Sequence, residues 1–359
     1  MSDLQSADDL PTRFSIPSAW KGAELFTRDD WQFHLTQAHL DDLQQALETI
    51  SREHLKREHI TPARFPLPHL GPVLQQIQQQ LETGSGACQL KRLPVENYSA
   101  SELEILFWMI SVHIGTPVSQ SASGDKIFHV RDEGFQVGQK EARGPNTRKR
   151  LSFHTDRCDV IGFLCLQQAL SGGNNQLVSS VSVFNEMRQR FPELTRILMQ
   201  PFYYLRHNVD TGNQKPFCQQ PVFSVQDGHF AGSFLRVLIE RAYASPDLPD
   251  MSPQQREALD QLETVAESPE LSVTFSQEPG DLLFLNNWVT FHRRDDFEDA
   301  EESHLKRHLL RVWLAVPNSR PLNPLFADNY GSTAAGAVRG GMLPTREIDL
   351  SNSTGSDSN

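Results

Sequence analysis

His154-Thr155-Asp156 places an imidazole and a carboxylate two positions apart at the end of a strand-like run, Leu151–Asp156. On a strand such residues face the same side, so both can reach one metal ion. A third ligand must come from elsewhere. His292 is the best candidate: it ends the run Trp288-Val289-Thr290-Phe291-His292, 138 positions later. Two histidines and a carboxylate on one side of a metal leave positions open, an arrangement suited to Fe(II) in oxygenases. The first half of this pattern is weak by itself. With 13 His and 45 acidic residues, about one or two His-x-acid matches arise by chance. His39-Leu40-Asp41 is such a match, and it opens a predicted helix, where positions two apart do not face each other.

The segment Arg307-His308-Leu309-Leu310-Arg311-Val312-Trp313-Leu314 strengthens the pattern. Read as a strand, it carries Arg307, Leu309, Arg311 and Trp313 on one face. Two arginines on an apolar strand are costly if buried without anions, and the guanidinium fork pairs bidentately with carboxylates. Taken alone, they could equally lie in water against Glu298, Asp299, Glu301 or Glu302. Beside a His-x-Asp and a downstream His, two carboxylate-binding arginines make better sense.

These residues need elements to position them. Leu40, Leu43, Leu47 and Ile50 recur at helical spacing. A second helix is predicted over 71–83, with Pro72 in its first turn and Gly84 at its stop. A third starts at Ser101, where Ser101-Glu102-Leu103-Glu104 reads as a capping box. A short strand is expected at 88–93. After Thr116 the pattern changes to short strand-like runs at 126–130, 151–156, 161–167, 176–180, 271–277, 282–285, 289–292 and 308–316. Helices interrupt them near 184–190 and from Ser252, where Ser252-Pro253-Gln254-Gln255 is a capping box. The polar stretch 133–150 reads as a long loop of the kind that often forms a lid. Just before it, Arg131 and Asp132 are candidates for reading the two charges of an amino acid. Residues 1–15 read as a flexible lead and 351–359 as a disordered tail. Many short strands with inserted helices after a helical N-terminal part predict a mostly β fold, a barrel or jelly roll, in a single domain over 16–350.

Composition bounds the partners. The chain has 359 residues and a formal net charge of −12. It has no basic run longer than Arg148-Lys149-Arg150, so nucleic acid is not an expected partner. No stretch approaches the ~18 apolar residues of a membrane span. The polar, acidic start Met1-Ser2-Asp3-Leu4 is unlike a signal peptide, and Cys88, Cys158, Cys165 and Cys218 lack metal or redox spacing. A cytoplasmic protein with free thiols is the expectation. There is no G-x-S-x-G elbow and no P-loop.

The order of His154-x-Asp156, Gly172-Gly173, Gly280-Asp281-Leu282-Leu283-Phe284-Leu285-Asn286-Asn287, His292, Arg307 and Arg311 resembles the TauD/TfdA group of Fe(II)/2-oxoglutarate dioxygenases. The wording around His154 and His292 is similar to its clavaminate-synthase-like branch, and the resemblance runs from about Trp20 to Gly341. It implies a double-stranded β-helix (jelly-roll) core and Fe(II) held by His154, Asp156 and His292. It implies 2-oxoglutarate as cosubstrate with O2, and release of succinate and CO2. Arg307 would bind the distal carboxylate of 2-oxoglutarate, and Arg311 a carboxylate or sulfonate of the prime substrate. Where relatives carry Thr or Ser after the turn, this chain reads Gly172-Gly173-Asn174-Asn175-Gln176, so Asn175 or Gln176 would help hold 2-oxoglutarate. Asp156 fills the position that a small residue takes in related halogenases, so oxygen chemistry is implied. The expected function is oxidation, foremost hydroxylation, of a small acidic molecule such as an amino acid. A non-catalytic barrel sensing 2-oxoglutarate is the alternative. Zinc hydrolysis fits less well, because no general-base glutamate lies near His154.

Overall fold

The computed structural model describes residues 13–134, 146–206 and 215–343. Most of the expected lead, the centre of the 133–150 loop and the tail 351–359 lie outside the described residues.

The N-terminal part contributes strand β1 (Gln32–His34), helix α1 (Gln37–Arg52), helix α2 (Leu70–Thr83), strand β2 (Ala87–Lys91) and helix α3 (Ala100–Ile114). Strands β3 (Thr116–Val118), β4 (Ile127–Val130), β5 (Val160–Gln167), β6 (Ser171–Gly172) and β7 (Asn175–Ser179) follow. An inserted block holds α4 (Ser180–Arg190), α5 (Pro192–Leu198), β8 (Phe202–Leu205), β9 (Phe217–Gln220), β10 (Phe223–Gln226), β11 (His229–Gly232), α6 (Arg236–Tyr243) and α7 (Pro253–Ala266). The C-terminal part returns to the barrel with β12 (Ser272–Phe275), β13 (Leu282–Asn286), β14 (Thr290–Arg294), β15 (Phe297–Glu298) and β16 (His308–Ala315).

The larger sheet runs β1-β2-β13-β5-β16-β3, with β4 also pairing β16; the smaller runs β12-β7-β14. Side-chain alternation divides the core between their faces. Leu282, Phe284, Leu310, Val312 and Leu314 leave the larger sheet on one side and pack with Leu43, Leu47, Leu74, Ile77, Leu106 and Phe107 of the N-terminal helices. Ile161, Leu283, Leu285, Trp313 and Ala315 leave it on the other side and meet Leu177 and Val273 of the smaller sheet. The outer face of the smaller sheet, through Val178 and Phe291, packs on the inserted block. Two facing sheets flanked by helices form a jelly roll, as the sequence pattern predicts. Each Leu or Phe fully buried at these faces contributes about 1.5–3 kcal/mol.

Local expectations held where local chemistry decides. Ser252 caps α7, accepting from the Gln255 N–H at 3.1 Å, and α2 stops at Gly84. The capping box of α3 sits two residues earlier than expected. Ser99 accepts from Glu102 N–H, and the Glu102 carboxylate accepts from Ser99 N–H at 2.7 Å. The run 151–156 is not a strand. It touches β14 through one bridge, His154 to His292, and is otherwise irregular.

Candidate metal and cosubstrate site

The bridge brings the two histidines together. His154 N–H donates to His292 O at 3.0 Å, and His292 N–H to His154 O at 3.1 Å. The segment beyond it is held by contacts from elsewhere. Thr155 N–H donates to Phe234 O, and Asp156 N–H donates to Asn287 Oδ1 at 3.0 Å. Asn287 is buried, and its Nδ2 donates to Cys158 O at 3.2 Å and to Cys158 Sγ at 3.1 Å. One asparagine at the end of β13 therefore ties down both sides of Asp156.

His154, Asp156 and His292 each present a ligand atom, all within 4.8 Å of one another. Asp156 Oδ2 lies 3.3 Å from His292 Nε2 and 3.9 Å from His154 Nε2. His154 Nδ1 sits 2.8 Å from Ser152 O. Donating there leaves Nε2 as the bare lone pair, the outer contact that commonly orients a metal-binding imidazole. Burial foremost, then the neighbouring His292, pushes the His154 imidazole down to about 4, which keeps it neutral and able to ligate. Burial alone would raise the Asp156 carboxyl. Arg311 first, then the His292 hydrogen bond, overcome it and hold the acid below its ordinary range. The donor set, two imidazoles and one carboxylate on one side, suits Fe(II).

Arg311 is fully enclosed. Its Nη1 lies 3.7 Å from Asp156 Oδ1, its Nε donates to Gln120 Oε1 at 2.7 Å, and its Nη2 is buried without a partner. The guanidinium centre lies 5.0 Å from the Phe128 ring and 5.1 Å from the Trp313 ring. The carboxylate facing Arg311 is thus the Asp156 side chain. Asp281 pairs instead with Lys91, and Asp295 takes a hydrogen bond from Gln176.

Arg307, just before β16, is buried with Nε and Nη1 unpartnered. Its guanidinium stacks 5.3 Å from the Phe297 ring. The Gly172-Gly173 turn gives it room: both glycines have positive φ, and a Cβ on Gly173 would stand 3.1 Å from Arg307 Nε. An enclosed cation with two N–H groups and no acceptor fits a missing carboxylate. Burial pushes its pKa down to about 10, so it stays charged at neutral pH.

The other candidates divide. Asn175 pairs with Arg294, and Leu177 with His292, on the inner face; Gln176 pairs with Arg293 on the outer face. The Gln176 amide is engaged at both ends, by Arg293 Nε at 2.7 Å and Asp295 at 2.9 Å. The turn therefore sets Asn175 on the inner face, where its Nδ2 donates to Gln277 Oε1 at 3.2 Å, and turns Gln176 outward. Arg131 and Asp132 are not brought to the cavity beside the metal ligands. Arg131 is exposed, and the Asp132 carboxylate pairs with Arg148 at 2.9 Å and accepts from Gly134 N–H. Three residues that shape the site carried no sequence signal strong enough to name them: Gln120, Asn287 and Arg294. Asn287 had the best chance, since it closes the Gly280–Asn287 motif.

A cavity of about 600 Å³ opens beside His154 and Asp156. Six arginines line it (Arg150, Arg157, Arg206, Arg236, Arg241 and Arg311) against three carboxylates, Asp156, Glu240 and Glu263. Several of these arginines are already matched: Arg150 pairs with Glu267, Arg236 with Glu240, Asp260 and Glu263, and Arg311 faces Asp156.

Residues 51–313 match the model of the taurine catabolism dioxygenase TauD, TfdA family. The chain belongs to this family. It is an Fe(II)/2-oxoglutarate-dependent dioxygenase, with O2 as co-oxidant. It is 28% identical over 323 residues to FR-33289 synthase of Streptomyces rubellomurinus, covering 89% of this chain and 95% of the relative. It is also 28% identical to the taurine hydroxylase-like protein SAT17 of Stachybotrys chartarum, covering 86% and 82%. Among solved structures, asparagine oxygenase with Fe(II), 3-hydroxyasparagine and succinate superposes with a TM-score of 0.63 at 17% identity, covering 86% of this chain and 99% of that one. The non-heme iron oxygenase OrfP with Fe and alpha-ketoglutaric acid gives 0.60 at 15% identity, covering 79% and 94%. These likenesses agree with the jelly-roll fold. Among the described residues no helix is long and apolar enough to cross a membrane.

Proposed function

We propose that His154, Asp156 and His292 hold the Fe(II), that Arg307 with Asn175 receives the distal carboxylate of 2-oxoglutarate, and that the dioxygenase hydroxylates a C–H bond of a small acidic molecule, an amino acid or close relative. The observation that carries this reading is the juxtaposition of three converging ligands, a buried arginine with unpartnered N–H groups, and a basic cavity beside them. When bound, Fe(II) and 2-oxoglutarate together supply the activation of O2 that ends in succinate and CO2.

The chain's own residues position and enclose. Arg307 fixes the far end of the cosubstrate against Phe297. Arg311 neutralises the outer oxygen of Asp156 and leaves Nη2 for a further acceptor, such as a substrate carboxylate. Trp313 and Tyr330 line the cavity and keep it partly apolar. The excess of arginines concentrates an anion there. The relatives crystallised with hydroxylated asparagine and arginine support the amino-acid class. A cytoplasmic enzyme acting on a small molecule, with no nucleic acid or membrane partner, fits all of this.

The test is a coupled screen. Purified protein with Fe(II) and 2-oxoglutarate is offered amino acids, small acids, sulfonates and phosphonates, and succinate and product mass are read together. A product heavier by one oxygen, in step with succinate, is the expected result. Turnover confined to substrates without a carboxylate, sulfonate or phosphonate group would remove this reading.

A further inference from the structure

Arg294 follows His292 by two positions on β14, so both face the inside of the barrel. It is 6% exposed; among the described residues no carboxylate forms an ion pair with it, and Asp132, Asp296 and Asp299 lie near enough to favour its charge. Its Nη1 donates to Thr147 O at 2.9 Å, its Nη2 donates to Lys149 O, and its Nε is buried without an acceptor. The guanidinium centre lies 4.6 Å from the Phe297 ring centre, and that of Arg307 lies 5.3 Å from the same ring. The two charges are therefore within about 10 Å of each other. Asn175 pairs across the ladder with Arg294, and one of its amide N–H groups donates to Gln277 Oε1 at 3.2 Å, leaving the other N–H for an acceptor.

The two enclosed cations share one nearby acid, Asp299, whose Oδ1 accepts from the Arg307 backbone N–H at 2.8 Å, and three of their N–H groups still lack acceptors: Nε of Arg294, and Nε and Nη1 of Arg307. A carboxylate seated between the two guanidiniums could accept from both, and its charge would offset the second cation that the single shared acid, Asp299, leaves. We propose that Arg294 is a second cationic residue for the distal carboxylate of 2-oxoglutarate, acting beside Arg307. The proposal rests on the assignment of Arg307 above. It gives this chain a reason to prefer a diacid cosubstrate strongly over a monoacid, and it accounts for an asparagine sufficing where relatives place a hydroxyl. The rival is that Arg294 only braces the 147–149 backbone.

The experiment is an anaerobic titration of the Fe(II) protein, reading the visible charge-transfer band. The ligands are 2-oxoglutarate and 2-oxopentanoate, which keeps the chelating head and lacks the distal carboxylate. Arg294→Gln should raise the 2-oxoglutarate Kd tenfold or more and leave that of 2-oxopentanoate within twofold. Arg294→Lys keeps the charge and loses the fork, and should raise the 2-oxoglutarate Kd about threefold, again for the diacid alone. If the glutamine variant melts too low to titrate, the lysine variant carries the test. An equal rise for both ligands, or no rise for either, overturns the proposal in favour of the brace. Arg307→Gln separates the two levels. If it weakens the diacid selectively while Arg294 variants do not, only the role of Arg294 falls. If it fails to discriminate as well, the cosubstrate assignment itself is wrong.

Discussion

At the residue scale the site is a chain of charge compensation. One oxygen of Asp156 faces the two imidazoles and the other faces Arg311. Truncating Arg311 therefore does more than remove a substrate contact. Arg311→Ala should weaken anaerobic Fe(II) binding and raise the KM of the prime substrate together. Arg311→Lys should recover the metal and leave KM high, because the ammonium restores charge without the fork. Arg307→Ala removes one partner of an enclosed charge pair, a loss of about 2–5 kcal/mol. The 2-oxoglutarate concentration needed for half-maximal turnover should rise by at least about 30-fold, with little change in prime-substrate KM. Asn287→Ala cuts the tie that holds Asp156 N–H and Cys158 O. Fe(II) affinity should fall about 10- to 100-fold, as for other residues that orient ligands from behind, and titration of the apoprotein with Fe(II) checks it.

At the scale of elements, β5 and β16 are the seam on which the site hangs. Gly162 on β5 sits where a Cβ would press to 2.6 Å from Phe284 and 2.9 Å from Val312. Gly162→Ala should cost about 1–3 kcal/mol by overpacking. A lower Tm with unchanged Fe(II) affinity is the expected signature. Legibility in the sequence follows the same division between local and distant causes. Helices α2 and α7 could be read because their stripes, Gly84 and the Ser252 cap act within a few residues. The strands of the seam could be read from alternating apolar residues. The segment around His154 could not, because its path is fixed by Phe234, Asn287 and His292, which lie 80 or more positions away. The grouping of His154, Asp156 and His292 was still legible, since the residue types able to hold one metal are constrained more tightly than the backbone that carries them. Arg311 shows the same limit. Strand period placed it on the right face, but nothing local could show that its carboxylate partner is a metal ligand.

For the whole molecule, stability should be graded with pH by groups outside the site. His308 on β16 faces His129, with 2.9 Å between ring nitrogens, and His129 Nε2 lies 3.4 Å from the Glu104 carboxylate. Burial foremost, then His129 and Arg131, pushes His308 down to about 4. The unfolded chain, with His near 6.5, binds this proton earlier than the folded one, so stability is lost as pH falls from about 6.5 towards 4. Urea melts at pH 7.5 and 5.5 should show a larger loss for the wild type than for His308→Gln.

The bridge between His154 and His292 has a further consequence for the life of the polypeptide. A metal gripping both ends closes a loop of 138 positions that contains α4 to α7. It acts as a removable cross-link, and its stabilisation rises by mass action, about 2.7 kcal/mol when free metal stands at 100 times its Kd. If the two histidines hold the iron as proposed, iron supply would govern persistence as well as turnover. Protein stripped by a chelator should be cleaved by a protease within this loop faster than the loaded form, even with no substrate, cosubstrate or oxygen present. Starvation for iron would clear the enzyme rather than merely silence it.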